Sequence, residues 1–343
     1  MVLLQTQKSL LQPVKQSTAV VLVTTAVPTP KPDSSEHLIH VHATAITNGE
    51  LLWEKNFPGS EPYSSHEQLV PCLDVAGTVI STSSSSPFQV GDEIYALASF
   101  TRMGCAREYT SLLTDEMAKK PRNLTWAEAA TTPMSAETAW QALLVHAGLE
   151  VKVGEGAKGL RVFVTAASGG VGTWAVQLAK WVGAEVVAMC GTNNLEWVRS
   201  LGASEVLDRM TMDIREWATL DGKKADVVID CIGGKSLSDA WWAVKDRGTL
   251  ISVYQPPGQM KPATFQGTVK NLFFIVNSDG EQLKKIINLI EGGIDRAPLD
   301  AVYPLEQFQQ AFKKVGSGKT RGKVVLDMGV AHSFQIGFLG CYG

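Results

Sequence analysis

The stretch RVFVTAASGGVGTWAVQLAK, residues 161–180, decides the fold of this 343-residue chain. It reads as a short apolar strand that runs into a glycine-rich turn and then into an amphipathic helix. Aligned to the pattern G-x-G-x-x-G, it gives Ala167, Gly169 and Gly172, with alanine in the first position. Glycine lets backbone N–H groups approach a pyrophosphate, and the helix N-terminus offers that anion a partial positive charge. The stretch therefore predicts a dinucleotide-binding turn; an unoccupied glycine turn is the alternative.

The segments that follow alternate between helix and strand. The short apolar segments EVVAMC (185–190), ADVVIDC (225–231) and TLISVY (249–254) are separated by helical stretches. Short apolar strands that alternate with helices are typical of a parallel sheet covered on both faces. The sequence therefore predicts an α/β fold with a doubly wound parallel sheet in this part of the chain.

The first third of the chain, to about residue 133, has a different texture. It is rich in β-branched residues, and it predicts strands at residues 37–46, 73–82 and 92–100, joined by loops rich in proline and serine. Residues 125–148 then predict one helix, with Thr125 as the N-cap of a capping box.

The last part of the chain predicts helices at residues 281–291 and 305–315 and a closing strand at residues 322–327. This strand follows a βα-type region, but it could also return to the first part of the chain. The residues after Asp327 carry no clear signal.

Composition excludes several classes of protein. The 31 Lys and Arg residues nearly balance the 34 Asp and Glu residues, so the chain lacks the basic surplus of a dedicated nucleic-acid binder. No apolar run approaches the length of about 18 residues that a membrane span needs. Five scattered cysteines without a CxxC pair, and no secretory leader pattern, indicate a reduced compartment, and we expect the cytoplasm.

The end of the second strand of the dinucleotide region bears on which dinucleotide binds. NAD-binding folds place Asp or Glu about 20 residues after the glycine turn, where the carboxylate holds the ribose hydroxyls. Residues 188–194 here contain no carboxylate, whereas Thr192 and Asn193 can hydrogen-bond a 2′-phosphate. Lys180 either contributes a positive charge to that phosphate or is a solvated lysine at a helix end. The pattern favours NADPH over NADH.

These segments together resemble the medium-chain dehydrogenase/reductase superfamily, specifically its zinc-independent quinone oxidoreductase and enoyl reductase branch. The resemblance covers roughly residues 28–327 and rests on AASGGVGTWAVQLAK, CGTNNLEWVRSLGASEVLD, DVVIDCIGG, and LDVAGTV followed by VGDEIYAL. It implies a Rossmann dinucleotide-binding domain at residues 136–275, inserted in a GroES-like β-barrel catalytic domain. Residues 1–135 form the N-terminal part of that catalytic domain, and residues 276–343 return to it and end in a C-terminal tail.

The resemblance also implies roles for individual residues. Ser168 to Val171 resemble the pyrophosphate loop, Lys180 falls where NADPH-using relatives place a lysine, and relatives often carry Lys or Arg at the position of Asn193. The expected cofactor-binding residues are Thr138, Ser168, Gly169, Gly170, Val171, Lys180, Gly191, Thr192, Asn193, Cys231, Val253, Tyr254, Phe273, Phe274 and Ile275.

A catalytic zinc is not expected. The positions that match the zinc ligands of the superfamily are Thr47, Leu73 and a stretch near Ser135, none of them a convincing ligand. His40 and His42 share one face of a strand and lack a visible third ligand, so we interpret them as half-buried strand residues.

Without a metal, reduction of an activated alkene or a quinone is the chemistry that asks least of the protein, because hydrogen-bond donors can hold the resulting enolate. The candidate catalytic donors are Thr47, Asn48 and Thr138, with Tyr63 and Tyr254 as weaker candidates. A structural hydroxyl that caps a turn is the alternative for the threonines, and Glu50 is as readily a scaffold residue.

The sequence therefore predicts an NADPH-dependent, zinc-independent reductase that transfers hydride to an enone, enal, enoyl thioester or quinone, which would be a small-molecule substrate. A trans-acting enoyl reductase of secondary metabolism, with a polyketide synthase as its partner, is a narrower version, and a homodimer is compatible with the resemblance. The alternatives are a non-catalytic NADPH-binding partner protein and a zinc-type alcohol dehydrogenase. Neither a nucleic acid nor a membrane is expected as a partner.

Overall fold

The computed structural model describes residues 5–14, 17–30, 35–56, 68–220, 222–294 and 297–329. The candidate donor Tyr63 and the tail from residue 330 onward lie outside these ranges. The strands and helices follow one another as β1 (Thr6–Leu11), β2 (Val21–Ala26), β3 (Glu36–Ile46), α1 (Trp53–Asn56), β4 (Asp74–Ser81), β5 (Glu93–Leu97), β6 (Tyr109–Leu113), β7 (Met117–Lys119), α2 (Trp126–Ala130), α3 (Pro133–Trp140), β8 (Arg161–Val164), α4 (Gly170–Trp181), β9 (Glu185–Cys190), α5 (Leu195–Ser200), β10 (Glu205–Asp208), α6 (Ile214–Thr219), β11 (Ala225–Asp230), α7 (Gly234–Ala243), β12 (Val244–Ser252), β13 (Lys270–Phe273), α8 (Gly280–Glu291), β14 (Leu299–Pro304), α9 (Phe308–Gly316) and β15 (Lys323–Asp327).

A parallel sheet of six strands, in the order β10-β9-β8-β11-β12-β13, forms the centre of the dinucleotide region. Strand β8 shows how the sheet is covered on both faces. Val162 and Val164 pack with Trp174 of α4, whereas Phe163 points to the other face and lies 5.0 Å from the ring of Trp217 in α6. Alternate residues of this buried strand thus pack into two separate hydrophobic cores, one on each face of the sheet. The predicted doubly wound α/β sheet is therefore confirmed.

A second sheet of seven strands is built from both ends of the chain. Its order is β14-β15-β3-β4-β5-β7, and β6 pairs with β3. The closing strand β15 is antiparallel to β3, with Val325 opposite Ala45. Of the two placements left open for this strand, the return to the first part of the chain is the one observed.

The single helix predicted for residues 125–148 is wrong, because the segment forms α2, α3 and a π-helical turn over residues 141–146. Pro133 has no N–H to donate to the preceding turn, so α2 ends and a new helix begins with Pro133 in its first position. The capping box is confirmed: Thr125 Oγ1 accepts the Glu128 N–H at 3.3 Å, and the Glu128 carboxylate accepts the Thr125 N–H at 2.9 Å. Helix α3 crosses the predicted domain boundary at residues 135 and 136.

One hydrogen bond joins the two sheets near the glycine turn, and another joins β5 to α8. The Gly322 N–H, just before β15, donates to the Ser168 carbonyl at 2.8 Å, and the Tyr95 hydroxyl of β5 donates to the Leu283 carbonyl at 2.7 Å. Among the described residues, no helix is long and apolar enough to cross a membrane.

Candidate functional site

The glycine turn places the N-terminus of α4 at the carboxyl end of β8. Helix α4 begins after Gly169, and within the described part of the chain no N-cap side chain accepts from its first turn, which otherwise leaves backbone N–H groups unpaired. A Cβ placed on Gly172 would lie 2.4 Å from the Ala166 carbonyl oxygen, so only glycine lets the helix pack this closely on the turn. An uncapped helix N-terminus beside a close-packed glycine turn fits a diphosphate, which would occupy the free donors.

The carboxyl ends of the neighbouring strands are held together by Asp230, the last residue of β11. Its carboxylate accepts the Thr165 hydroxyl at 2.9 Å, the Ser252 hydroxyl at 3.1 Å and the Gly233 N–H at 2.8 Å. Burial raises the pKa of this carboxyl. Asp230 therefore fixes the ends of β8, β11 and β12 relative to one another, which is where ligands bind in open α/β sheets.

Several predicted cofactor-binding residues lie at this same edge. Cys231 follows Asp230, and its N–H donates to the Thr165 hydroxyl at 3.0 Å. Val253, partly buried, follows β12 directly and donates its N–H to the Asp230 carbonyl at 3.0 Å. Tyr254, beside it, exposes 48% of its surface. Phe273 ends β13, so Phe274 and Ile275 begin the segment that leaves the sheet.

Thr138 was predicted as a hydrogen-bond donor to the substrate, but in the structure its hydroxyl donates within its own helix. It lies in α3, is 5% exposed, and its hydroxyl donates to the Met134 carbonyl one turn earlier at 2.6 Å. Because its proton is already engaged within the helix, the Thr138 oxygen is arranged to accept a hydrogen bond and not to donate one.

At the ends of β9 and β10, a carboxylate lies close to residues 188–194, which themselves contain none. Strand β10 pairs Asp208 with Cys190 at the end of β9, and the Thr192 hydroxyl donates to the Asp208 carboxylate at 2.7 Å. Residues 188–194 contain no carboxylate, but the neighbouring strand β10 supplies one at this strand end, and this carboxylate opposes a 2′-phosphate. Arg209 follows directly, and its Nε lies 3.6 Å from the position that a Cβ on Gly191 would take.

Asn193 and Lys180 are two other residues predicted to bind the cofactor near these strand ends. Asn193 is exposed, and the residue that reaches the phosphate loop is Asn194, whose Nδ2 donates to the Ser168 hydroxyl at 3.2 Å. The stem of Lys180, at the far end of α4, lies against Gly202.

A buried polar group surrounds Lys323, the first residue of β15. Its ammonium lies 2.8 Å from the Asp74 carboxylate and donates to the Thr47 hydroxyl at 2.6 Å. The side chains of Lys323 and Asp74 are only 7% and 0% exposed. The stem of Lys323 also lies beside the phosphate loop, because a Cβ placed on Gly170 would come within 3.1 Å of Lys323 Cδ and 2.6 Å of Ser135 Oγ.

Met134 completes this arrangement, which we call the Lys323 cluster (Lys323, Asp74, Thr47 and Met134). The Asp74 carboxylate accepts the Met134 N–H at 2.7 Å, and the Thr47 hydroxyl points to the Met134 thioether at 3.2 Å. Burial raises the pKa of Asp74, while the attraction of Lys323 opposes that rise. The cluster joins β3, β4, α3 and β15 at the edge where the two sheets meet.

Glu50 lies next to this cluster and is also buried. Its carboxyl accepts the Cys72 N–H at 3.2 Å, and the Cys72 thiol lies 3.5 Å from its other oxygen. Burial raises the pKa of Glu50 from 4.5 to about 7, even though the Lys323 ammonium acts in the opposite direction. Burial also raises the pKa of the Cys72 thiol well above its ordinary value, so this thiol is not a reactive nucleophile.

A cavity of about 610 Å³ is lined in part by Thr47. Its walls come from residues 18–20, residues 46–52 and helix α9, and include Asn48, Leu51 and Phe312. The cavity is within the size range of small-molecule sites, and most of its walls are apolar. Thr47, a member of the Lys323 cluster, is therefore also part of the cavity wall.

Comparisons with known proteins agree with this geometry. Residues 33–131 match the family described as "Alcohol dehydrogenase GroES-like domain", and residues 201–326 match the family described as "Zinc-binding dehydrogenase". A protein of Arthroderma benhamiae named "Probable zinc-binding oxidoreductase, mitochondrial" is 49% identical over 314 residues, covering 90% of this chain and 93% of that protein. The chain belongs to the medium-chain dehydrogenase/reductase superfamily.

Further relatives place it in the quinone oxidoreductase branch of that superfamily. The "Chloroplast envelope quinone oxidoreductase homolog" of Arabidopsis thaliana is 33% identical, with 88% of this chain and 92% of that protein covered. The "2-methylene-furan-3-one reductase" of Solanum lycopersicum is 31% identical, with 86% and 73% covered. The solved quinone oxidoreductase of Coxiella burnetii shares the fold, with a TM-score of 0.81 at 24% identity and coverage of 94% of this chain and 99% of that one.

As a member of this superfamily the protein is an oxidoreductase, and its Rossmann domain binds a nicotinamide cofactor. The names of one family and one relative mention zinc. Whether a catalytic zinc could bind here depends on the charge and ligand atoms of the residues at and near the Lys323 cluster. A metal ion bound to Thr47 would lie within about 5 Å of the Lys323 ammonium, a strongly repulsive position. Leu73 offers no ligand atom, and within the described residues no three His, Cys, Asp or Glu side chains group as a metal site. These residues do not fit a catalytic zinc.

His40 and His42, the other potential ligands, are engaged in ring stacking. His40 stacks on Tyr109 with 4.9 Å between ring centroids, and His42 stacks on Trp126 at 4.1 Å. Both imidazoles are half-buried on one face of β3, as interpreted from the sequence.

Proposed function

We propose that this oxidoreductase is an NADPH-dependent, zinc-independent reductase that transfers hydride to an activated carbon–carbon double bond or to a quinone. The observation that carries the proposal is the adjacency of the phosphate loop and the Lys323 cluster. Lys323 packs against Gly170 of the loop while its ammonium holds the Thr47 hydroxyl. A cofactor groove and a polarised hydroxyl donor thus meet at one place, without a fitting metal site.

The nicotinamide, when bound, supplies the hydride. The turn at Gly169 to Val171 and the N-terminus of α4 would hold the diphosphate, and the strand ends fixed by Asp230 would place the ring against Val253 and Phe274. Negative charge then collects on the carbonyl oxygen of the reduced enone, and a hydrogen-bond donor at that oxygen stabilises it. Thr47 is the predicted donor whose hydroxyl can take this role, because its present acceptor is a thioether, which is a weak acceptor.

NADPH is the cofactor we propose, with a selectivity set by two opposing charges. The Arg209 guanidinium, beside Gly191, favours a 2′-phosphate, whereas the Asp208 carboxylate at Thr192 disfavours it. We assign the larger effect to Arg209, because a guanidinium can pair directly with a phosphate. Some turnover with NADH is expected because the Asp208 carboxylate opposes binding of the 2′-phosphate.

The cavity beside Thr47 supports an apolar substrate. An enone whose carbonyl oxygen meets the Thr47 hydroxyl could extend an apolar tail against Leu51 and Phe312. The tomato relative is named for an enone of this electronic type, and quinones accept hydride for the same electronic reason.

The test is steady-state oxidation of NADPH, followed by absorbance, against a panel of alkyl enones, enals, enoyl thioesters and quinones, with simple ketones and alcohols as comparison substrates. Turnover of the activated acceptors, in protein that carries no stoichiometric zinc by elemental analysis, is the expected result. Stoichiometric zinc together with alcohol oxidation would instead establish the zinc-type alcohol dehydrogenase.

We also propose a cellular location and partners for the protein. The cytoplasm is expected from the cysteine usage, whereas relatives are named as mitochondrial or chloroplastic, so fractionation of cells that express the protein decides between these compartments. A homodimer and a polyketide synthase partner stay predictions, to be checked by light scattering of the purified protein and by co-purification with the synthase.

A further inference from the structure

We propose that Lys323 is a positioning residue for the reaction: its ammonium holds and polarises the Thr47 hydroxyl, so that Thr47 donates to the substrate's carbonyl oxygen. The inference rests on the proposed reductase function and assigns to Lys323 a part that no sequence motif indicated. Lys323 itself does not touch the substrate in this arrangement.

The geometry around the ammonium supports this role. Lys323 is almost completely buried, and its charge is balanced by Asp74 at 2.8 Å. An ordinary buried ion pair needs no third partner, yet Lys323 also donates to Thr47 at 2.6 Å, a short contact for a charged donor. The ion pair therefore does more than neutralise Asp74, since it also fixes the rotamer of a threonine that borders the cavity.

The direction of the hydrogen bonds points the Thr47 proton away from Lys323. An ammonium can only donate, so the Thr47 oxygen accepts from it and its own proton must go elsewhere. In the structure that proton points to the Met134 thioether at 3.2 Å. A carbonyl oxygen is a much better acceptor than a thioether, and a substrate carbonyl in the cavity would therefore take this hydrogen bond.

Charge makes the donor stronger as the reaction proceeds. Hydrogen bonds in a chain polarise one another, and the effect is larger in a buried site than in water. When hydride reaches the β-carbon, the π electrons of the double bond move onto the carbonyl oxygen, and the resulting enolate accepts from the Thr47 hydroxyl. The Lys323 charge thus favours the transition state over the neutral substrate, which is the condition for raising kcat.

A double-mutant cycle tests the coupling. Thr47→Val, which keeps the shape of the side chain, is expected to lower kcat by about 100-fold, the loss typical of removing one oxyanion donor. Lys323→Met is expected to lower kcat by about tenfold in the native background, a loss typical of removing one charge-assisted hydrogen bond, and to have no further effect in the Thr47→Val background. Thr47→Ser retains the hydroxyl and is expected to restore most of the rate.

Folding and cofactor binding are measured in the same set of variants. If Lys323→Met does not fold because Asp74 loses its partner, Lys323→Gln replaces it in the cycle, since an amide still donates to Asp74 without carrying a charge. Lys245→Met is the matched control, because it removes a lysine from a half-exposed ion pair with Asp226 on the other domain. The dissociation constant for NADPH, measured by fluorescence titration, is expected to change less than about threefold in the Thr47 variants.

The outcomes separate the inference from the function on which it rests. Independent losses of kcat from Lys323 and Thr47 would overturn the inference while leaving the reductase intact. An equal weakening of NADPH binding by Lys323→Met in both backgrounds would also overturn it, since Lys323 would then hold the diphosphate. No turnover of any activated acceptor by the unchanged protein would refute the reductase itself, and the inference with it.

Discussion

Glu50 makes the stability of the protein depend on pH in a way that can be predicted from its surroundings. Burial raises the pKa of its carboxyl from 4.5 to about 7 in the folded protein. Between these two values the folded protein keeps the proton, whereas the unfolded chain has already lost it. Unfolding then releases a proton, so the free energy of unfolding falls as the pH rises through this interval.

The size of the effect follows from the interval. One bound proton corresponds to a slope of about 1.4 kcal/mol per pH unit. Between pH 4.5 and pH 7 the Glu50 carboxyl is therefore expected to remove about 3 kcal/mol of stability, which is then absent at all higher pH values. The glutamine side chain of Glu50→Gln keeps an oxygen that can accept the Cys72 N–H. Because an amide does not ionise, this variant does not lose stability as the pH rises through the interval.

The assay is urea unfolding followed by tryptophan fluorescence at pH 5 and pH 8, with the free energy extrapolated to water. The stability of Glu50→Gln relative to the unchanged protein is expected to rise by about 2 to 3 kcal/mol from pH 5 to pH 8. Taking this difference cancels the titration of all other groups. The control Glu150→Gln alters an exposed carboxylate and is expected to follow the unchanged protein. Equal stability differences at the two pH values would refute the reasoning.

Three further predictions concern the cofactor-binding residues and the contact between β5 and α8. Arg209→Gln is expected to lower the preference in kcat/KM for NADPH over NADH by about tenfold, and Asp208→Asn to raise it, because the two charges act oppositely on a 2′-phosphate; movement in the same direction would contradict this assignment. Gly172→Ala places a Cβ 2.4 Å from a carbonyl oxygen of the turn and is expected to weaken NADPH binding by roughly tenfold or more in a fluorescence titration, while unchanged binding would mean that the turn yields freely. Tyr95→Phe removes the hydroxyl that donates to the Leu283 carbonyl and is expected to cost about 1 kcal/mol in urea unfolding, with a loss near zero showing that this hydrogen bond contributes no net stability.

The parts of the fold that the sequence predicted correctly are those governed by local signals. The glycine turn between β8 and α4 needs only neighbouring residues, and so does the capping box at Thr125. The break before Pro133 was also local, and it was missed because the apolar pattern continues across it. A proline within an otherwise helical pattern carries more information about where a helix ends than the pattern itself.

The parts of the site that the sequence did not predict depend on pairing between distant segments. Asp208 reaches Thr192 because β10 pairs with β9 in one particular register, and a single strand does not reveal its partner's register. Lys323 is separated from Thr47 by 276 residues, and only the return of β15 to β3 brings the two together. A lysine in the motif RGKVVLD looks like a solvated strand end until its neighbours are known.

The return of β15 links cofactor binding to the chemistry in a physical sense. The segment immediately before it is tied to the phosphate loop by the bond from Gly322 to the Ser168 carbonyl, and its first side chain lies on Gly170 and holds Thr47. In the proposed mechanism, a diphosphate held by the loop would also restrain the backbone from which Lys323 projects. We therefore expect the Thr47 hydroxyl to be best positioned when the cofactor is bound, which is when a hydride donor is present to use it.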